Sequence, residues 1–478
     1  MDHRRPTSPH NSHSCAARRR TLAALVLFWV GLSGCVDDDS TRPTDVAATV
    51  DAGTFIDTGV TYAHVAPIFR QYCNSCHSVG GVGPMAFDSY EATKKWAPAI
   101  RVSVTERTMP PWLLTGDGSC GEFKDSAWLS EQDVKTIDDW VIGGAQPGEV
   151  EPVDQQPIKL SELSGDNVIE LKMPVTYGPQ ANKPTNTGAF DDYRCFPIQT
   201  GLDKDVFVTA TEVIPGDPSI VHHVLVFSVN PLAFPVDAPE FGSNEKVMQS
   251  LDSTNNDRPG WPCFAAAGQG VLMDSLLVAW APGEDVNRYP MGTGLQLPKG
   301  NILVMQVHYN VLGGVKTDRT RIRLAIEDEV DRPAWMALHD PFLFSTFGTQ
   351  PKSIEPGLPD AVVQWFASPF DLNFWVPSDK TASLEIHGIY PHMHKRGQTM
   401  KVKLVRAGKE QCVAEVKRWD FDWQRMYYLK EPLRFEKGDY LVTECTFDTQ
   451  DSEKPVMPGF GTSQEMCLTG LYVTTPSP

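Results

Sequence analysis

Two stretches near the N-terminal end have the apolar spacing of an amphipathic helix. Apolar side chains recur every three or four residues, which places them on one helix face. In the first stretch these positions are Val65, Ile68, Phe69 and Tyr72, and in the second they are Val134, Ile137 and Val141. Ser130 is a suitable N-cap for the second stretch, and Gly143-Gly144 is a suitable end. The pattern predicts two helices within residues 56–150.

The pattern changes after a connection that contains proline and glycine. Residues 151–185 are predicted to be a linker, and from residue 186 onward short alternating or apolar runs are separated by turn signals such as Pro215-Gly216-Asp217. Residues 221–227 and 304–309 are two such runs. This pattern predicts antiparallel β-sheets over the rest of the chain.

The first 35 residues have the pattern of a bacterial export signal. Arginines precede a short apolar run over residues 22–30, which ends in Leu32-Ser33-Gly34-Cys35. We predict a lipoprotein signal at residues 1–34, a lipid on Cys35 and a flexible tether over residues 35–55. Val36 after the cysteine favours an outer-membrane anchor on the periplasmic side of the cell envelope, with the lipid as the sole membrane contact. The sequence leaves the membrane leaflet open. An uncleaved anchor or a chance cysteine is the alternative.

The length and net charge of the chain limit the classes of function that it can have. A chain of 478 residues is long enough for two or three domains. It has 42 Lys plus Arg against 60 Asp plus Glu, which gives a net charge of -18. A basic groove that follows phosphates is therefore not expected, and we exclude a nucleic-acid partner.

Cys73-Asn74-Ser75-Cys76-His77 follows directly on the first predicted helix. Cys-x-x-Cys-His is the motif by which c-type haem is covalently attached, with the histidine as an iron ligand. Because cytochromes c begin in this way, we predict an all-α cytochrome c domain at residues 56–150. Met109, in a proline-fixed loop, is the predicted sixth ligand, and Met85 is the second choice. A metal-free or redox Cys-x-x-Cys loop and a methionine that only packs are the alternatives.

Six further cysteines are expected to form disulfides in an oxidising compartment. They are Cys120, Cys195, Cys263, Cys412, Cys445 and Cys467. Their spacing alone leaves the pairing open.

The histidines of the β-rich part form three informative groups. His392 and His394 are two residues apart, so a strand would direct both toward one metal ion. His222 and His223 are adjacent, so sharing an ion requires a strand end, a bulge or different ring nitrogens. His308 in an apolar run is a third ligand candidate. Each of these histidines alone is more often structural, and we interpret His339 and His387 as structural or supporting residues.

These groups lie within segments that resemble the copper type II, ascorbate-dependent monooxygenases. The similar segments, in family order, are residues 221–227, 277–283, 306–309, 392–394 and 461–467. The resemblance implies two antiparallel, jelly-roll-like β-sandwich domains at residues 186–330 and 331–478. It implies one copper at His222, His223 and His308 and a second, catalytic copper at His392, His394 and Met466.

The resemblance also carries expectations about neighbouring residues. It implies a Cys445–Cys467 disulfide beside Met466, whose soft sulfur favours Cu(I). Cys195 resembles a family half-cystine, although no matching downstream partner is apparent. Peptide-amidating members have an arginine and a tyrosine where this chain has Tyr390 and Gly470. A peptidylglycine substrate is therefore not expected.

The combined prediction is a monooxygenase that hydroxylates a C–H bond of a small organic substrate with O2. Two copper ions and haem c are the predicted cofactors, and the fused haem is predicted to supply electrons that come from ascorbate or a redox protein. Two alternatives remain open. One is an electron-transfer lipoprotein with a non-catalytic copper-binding β module, and the other is a metal-free scaffold lipoprotein.

Overall fold

The computed structural model describes a chain that is mostly β-sheet. The described residues are 56–79, 83, 85–149, 162–180, 191–235, 239–255, 257–263, 266–282, 284, 286–311, 314, 316–339, 353–372, 376–377, 379–380, 383–459 and 464–476. The predicted signal, lipid-bearing Cys35 and tether lie outside these residues. Phe55–Pro478 form one compact unit.

The helices lie mainly in the N-terminal part. They are α1 (Tyr62–Tyr72), α2 (Tyr90–Lys94), α3 (Ala97–Thr105), α4 (Glu131–Ile142) and α5 (Asn244–Ser253). The two helices predicted from periodicity are confirmed as α1 and α4. Ser130 caps α4 by accepting a 3.0 Å hydrogen bond from the Asp133 amide. Phe69 and Trp140, both buried, join α1 to α4 with their ring centroids 5.9 Å apart.

The strands account for most of the remaining chain. They are β1 (Val168–Lys172), β2 (Asp191–Gln199), β3 (Val206–Ile214), β4 (Val221–Val229), β5 (Trp261–Pro262), β6 (Ser275–Trp280), β7 (Asn287–Arg288), β8 (Thr293–Leu297), β9 (Ile302–Asn310), β10 (Arg321–Glu327), β11 (Arg332–His339), β12 (Ala361–Ala367), β13 (Ser383–His392), β14 (Gly397–Arg406), β15 (Lys409–Val416), β16 (Tyr427–Glu436), β17 (Tyr440–Phe447) and β18 (Leu468–Thr474).

The strands form two layered units that fit the expected β-sandwich domains. In the first unit, the sheet β5-β2-β9-β4-β6 shares a core with strands β1, β10, β3 and β8. In the second, the sheet β12-β17-β14-β15 shares a core with β11, β18, β13 and β16. Alternating side chains of the facing sheets fill each core, as in other sandwiches.

The two sandwiches are joined by a continuous sheet. Three residues of β11 pair in parallel with β8, from Arg332 opposite Thr293 to Ala334 opposite Leu295. This pairing makes one nine-stranded sheet that includes strands on both sides of the predicted boundary at residue 330. The arrangement fixes the orientation of one sandwich to the other, because strand hydrogen bonds set the register.

Two segments differ from the predicted division of the chain. The range 151–185, predicted as a linker, contributes β1, which pairs with β10. Within the range 56–150, Trp112, Leu114 and Phe123 belong to the core of the second sandwich. A Cys120–Cys412 disulfide fixes this segment to β15. Local composition does not reveal such pairings because the partners lie far apart in sequence.

Within the described ranges, no helix has both the length and the apolar character needed to cross a membrane.

Candidate metal centres

Three imidazoles converge between β4 and β9. The Nδ1 atom of His308 lies 3.1 Å from Nδ1 of His222 and 3.1 Å from Nδ1 of His223, and the last two are 3.5 Å apart. We call these three residues the first histidine cluster. Nitrogens about 2 Å from one ion at tetrahedral angles lie about 3.3 Å apart, so the cluster has the spacing of a preformed metal site.

A bulge explains how two adjacent histidines reach one point. The β4–β9 register shifts between Val221 and His223, so His222 is displaced from the regular alternation. All three residues present the same ring nitrogen, Nδ1. The sequence left a strand end, a bulge or different ring nitrogens as possible arrangements, and the structure shows the bulge.

Acidic and aromatic groups lie against the outer sides of these rings. Asp191 Oδ1 is 3.2 Å from His308 Nε2, and Asp422 Oδ1 is 3.5 Å from His222 Nε2. The Tyr193 ring stacks on His308 with centroids 4.0 Å apart. Carboxylates on the far nitrogen orient a ligating imidazole and raise its basicity.

Burial keeps the inner two imidazoles neutral. It lowers the pKa of His223 and of His308 well below the ordinary value, and the neighbouring imidazoles lower both further. A neutral ring is the form that binds a metal ion.

The second histidine cluster consists of His392 and His394 at the end of β13. Their ring centroids are 5.2 Å apart, and the intervening Met393 is buried in the second sandwich core. His392 Nδ1 is hydrogen-bonded to Gln424 Oε1, and His394 Nδ1 is 2.8 Å from the Gln464 carbonyl oxygen. A metal at this cluster would be bound through Nε2, because Nδ1 of each ring is already engaged. Burial lowers the pKa of His392 to about 4, against the effect of the Gln424 hydrogen bond.

Met466 is buried just before β18, the strand that pairs with β13. Leu468, two residues further on, lies opposite His392 in the β13–β18 register. The Glu465 carboxylate accepts hydrogen bonds from the amides of His394 (2.9 Å) and Arg396 (2.7 Å). The structure therefore fixes the segment before β18 against His394, although the role of Met466 as a ligand stays a prediction.

The disulfides resolve a pairing that the sequence left open. The Cys445–Cys467 bond, implied by the family resemblance, is present next to Met466. Cys195 is joined to Cys263, and Cys120 to Cys412. Among the described cysteines, only Cys73 and Cys76 remain thiols.

Those two thiols line a cavity of about 520 Å³. Its walls include Cys73, Cys76, His77, Met85, Met109 and the ring of Phe87. His77 Nδ1 lies 3.1 Å from the Met85 carbonyl oxygen, and its ring stacks on Phe87. Two free thiols, an oriented imidazole and a thioether around a mostly apolar space match the donor set for c-type haem. Both candidate methionines line the cavity, so the choice of Met109 stays a prediction.

The same cavity reaches the first histidine cluster. Its lining also includes His222, Pro282, Asn310, Asp422 and Trp423. The predicted haem site and a predicted copper ligand thus share one space.

A much smaller space lies between the two histidine clusters. It measures about 20 Å³ and is lined by His223 and His392 together with Tyr193, Tyr390, Phe421 and Gln424. This volume holds about one water molecule.

Other histidines have structural partners. His387 Nε2 lies 2.9 Å from Thr474 Oγ1, and exposed His64 accepts a hydrogen bond from the Thr61 amide near the start of α1. The side chain of His339 lies outside the described residues. No motif in the sequence marks Asp191, Asp422 and Gln424 as partners of the histidines, because these are common surface residue types and only the fold brings them to the rings.

The chain is similar to known proteins over the range that contains the second cluster. Residues 372–474 match the family model for the C-terminal domain of copper type II ascorbate-dependent monooxygenases. Over this range the chain is similar to that family. The matched range includes both second-cluster histidines and Met466.

Curated relatives cover more of the chain. Human DBH-like monooxygenase protein 1 is 25% identical over 304 residues, which is 61% of this chain and 45% of the relative. Human dopamine beta-hydroxylase is 25% identical over 267 residues, covering 54% and 39%. Tyramine beta-hydroxylase of Caenorhabditis briggsae is 22% identical over 276 residues, covering 54% and 40%. The chain spans about half the length, or less, of these relatives.

Proposed function

We propose that the chain is a copper-dependent monooxygenase that hydroxylates a C–H bond of a small organic substrate with O2. The observation that carries the proposal is the triangle of Nδ1 atoms in the first histidine cluster, at the spacing of ligands around one ion. The family match over the second cluster supports it. Copper bound at the two clusters supplies one-electron redox chemistry and activation of dioxygen.

The residues around each cluster have distinct tasks in this proposal. His222, His223 and His308 would hold the ion that accepts and transfers electrons. His392, His394 and Met466 would hold the ion that meets O2, because a thioether favours Cu(I). Gln424 and the Gln464 carbonyl fix the two rings so that Nε2 is the ligand atom.

We propose further that a haem c supplies the electrons. Cys73 and Cys76 would form the thioether links, and His77 and Met109 would be the axial ligands. A bound haem c supplies one-electron transfer. The shared cavity supports this role, since it extends from the Cys73 and Cys76 thiols to His222. An external donor, ascorbate or a redox protein, would reduce the haem.

The substrate is proposed only as a class. The names of the relatives point to dopamine and tyramine as the substrates of those proteins. In this chain Tyr390 stacks over His392, at a position where peptide-amidating members have an arginine. A small organic molecule other than a peptidylglycine fits this position best. We propose that the protein is exported to the periplasmic side of the cell envelope and anchored to the outer membrane by a lipid on Cys35.

The small space of about 20 Å³ between the clusters supports a second candidate function. A chain in which this gap admits no substrate would be an electron-transfer lipoprotein with a non-catalytic copper-binding β module. The same metals are expected in that case, but no oxygenated product.

Metal analysis and labelled oxygen test the proposal together. We expect about two copper ions and one iron per full-length chain. We also expect one atom of ¹⁸O from ¹⁸O2 to be incorporated into a product, found by screening small amines and alkyl-substituted aromatic compounds. His392→Ala should abolish incorporation, whereas the matched variant of exposed His64, His64→Ala, should retain it. Bound copper with no labelled product from any candidate would favour the electron-transfer alternative. Absence of copper would overturn both.

A further inference from the structure

The loop between β15 and β16 contacts both histidine clusters. We call residues 419–425 the bridging loop. Asp422 Oδ1 lies 3.5 Å from His222 Nε2 in the first cluster. Gln424 Oε1 accepts the hydrogen bond from His392 Nδ1 in the second cluster. One short segment of backbone therefore links a ligand candidate of each cluster.

The bridging loop also borders the cavity with the free thiols. Asp422 and Trp423 line that cavity together with Cys73 and Cys76. Trp423 further lines a neighbouring cavity with Pro111 and Trp112, which follow Met109 in the chain. Trp423 thus borders the space predicted to hold haem, and in the sequence it stands between Asp422 and Gln424, the residues that contact the two clusters.

Both ends of the bridging loop are fixed. Trp419 Nε1 donates a 3.0 Å hydrogen bond to the His394 carbonyl oxygen. Arg425 Nε lies 3.1 Å from Glu284 Oε1 in the first sandwich, and its guanidinium lies over the Trp112 ring at 5.5 Å. The loop is thus held to both sandwiches and to the segment after Met109. Rigid, packed contacts of this kind can couple distant sites.

We propose that the bridging loop gives the second histidine cluster its own electron connection to the Cys73–Cys76 cavity, parallel to the connection through His222. Trp423 is the positioning residue of this connection. The inference rests on the proposed function and changes its sequence of steps. Each cluster would receive one electron directly from the cavity, so reduction of the second cluster would not have to pass through the first.

The electron balance is simple. With both groups bound, one electron would pass from ferrous haem to one cupric ion, which would leave the iron ferric and the copper cuprous. No bond is formed or broken in this step. The external one-electron donor, ascorbate or a redox protein, returns the iron to the ferrous state.

Removal of the first copper separates the two routes. The test uses the full chain with haem and the His308→Ala substitution, loaded anaerobically with one Cu(II) at the second cluster. A photogenerated flavin semiquinone reduces the haem, and its reoxidation is followed by absorbance without substrate or O2. We expect reoxidation within about tenfold of the unsubstituted holoprotein, and about tenfold slower reoxidation when Trp423→Ala is added. Trp423→Phe, which keeps an aromatic ring, should restore most of the rate.

Trp335→Ala in the same background is the matched control. Trp335 is also a partly buried tryptophan packed on the second sandwich core, but it lies on β11. Its removal should leave the rate unchanged, and the haem midpoint potential and copper content should be equal in all variants.

Haem that stays reduced in His308→Ala, with copper present, would overturn the parallel route and leave the serial route through the first cluster. An equal rate in Trp423→Ala would overturn the role of Trp423. A chain that binds neither haem nor copper would instead overturn the proposed function.

Discussion

The two histidine clusters obtain their geometry from different kinds of structure. The first lies within paired strands, where the β4–β9 register and one bulge bring three Nδ1 atoms together. The second lies where β13 ends, and loop residues Gln424 and Gln464 engage Nδ1 of its rings. The carboxyl groups of Asp191 and Asp422 lie beside ring nitrogens of the first cluster, whereas amide oxygens of Gln424 and Gln464 contact the ring nitrogens of the second. A strand-based site is fixed by the sheet itself, while the second depends on the loops around it.

This difference suits the proposed division of labour. An electron-transferring copper benefits from a rigid set of three similar ligands and from nearby carboxylates that stabilise Cu(II). A copper that meets O2 benefits from neutral surroundings and a thioether, which favour Cu(I). The following predictions test whether the two clusters differ in this way.

Loss of one ligand should empty one cluster and leave the other filled. We expect His308→Ala and His392→Ala each to reduce bound copper from about two ions to about one, because each cluster is an independent site. Metal analysis after dialysis measures this, and electron paramagnetic resonance shows which Cu(II) signal remains. His64→Ala should keep both ions. Loss of both ions from either single variant would contradict independent sites.

The disulfide beside Met466 should matter for the second cluster alone. Replacing Cys445 and Cys467 by serine opens a loop with a sequence separation of 22, and should reduce the free energy of unfolding by about 3 kcal/mol. Urea unfolding measures this loss, and competition with a Cu(I) chelator should show weaker binding at the second cluster. The matched pair is Cys195 and Cys263 in the first sandwich. Its replacement should also destabilise the chain but leave Cu(I) affinity at the second cluster unchanged. An equal loss of Cu(I) affinity in both disulfide variants would contradict a specific role of the Cys445–Cys467 bond.

The side chains that contact the imidazole rings should each affect copper binding only at the cluster that they contact. Gln424→Ala should weaken copper binding at the second cluster by about 10- to 100-fold, since partners of ligating histidines contribute on this scale. Asp191→Asn should weaken copper binding at the first cluster by a smaller factor, because the amide retains an oxygen near His308. Copper titration of each variant measures both effects. A change at the opposite cluster would show that the two sites are coupled through the protein.

Buried Glu284, which joins the first sandwich to the bridging loop, should give stability a pH dependence. Burial raises its pKa from 4.5 to about 7, although Arg425 and the Ala281 amide lower it. A carboxyl whose pKa is raised by folding stabilises the fold while protonated, so its contribution is present below pH 4.5 and is lost as pH rises toward 7. We expect the stability difference between the parent chain and Glu284→Gln to decrease over that interval. Urea unfolding at several pH values measures it, and a flat difference would contradict the raised pKa.

Particular residues show how far the sequence could be interpreted. Periodicity alone located α1 and α4, because amphipathic helices are local structures whose spacing is visible in the sequence. The histidine motifs directed attention to the first cluster, whose nitrogens do converge. The expected sandwiches fit the mostly β fold. The assignments of haem, of the copper ligands and of the lipid on Cys35 stay predictions.

The sequence by itself determined which residues have the chemistry: the Cys73–Cys76 pair, the adjacent His222 and His223, and the His392-Met393-His394 segment. Only the tertiary structure decided how they meet. The bulge at His222, the disulfide partners of Cys120 and Cys195, and the placement of the bridging loop all depend on contacts between residues far apart in the chain. Such contacts result from strand register and core packing, which involve the whole fold and leave no local pattern in the sequence.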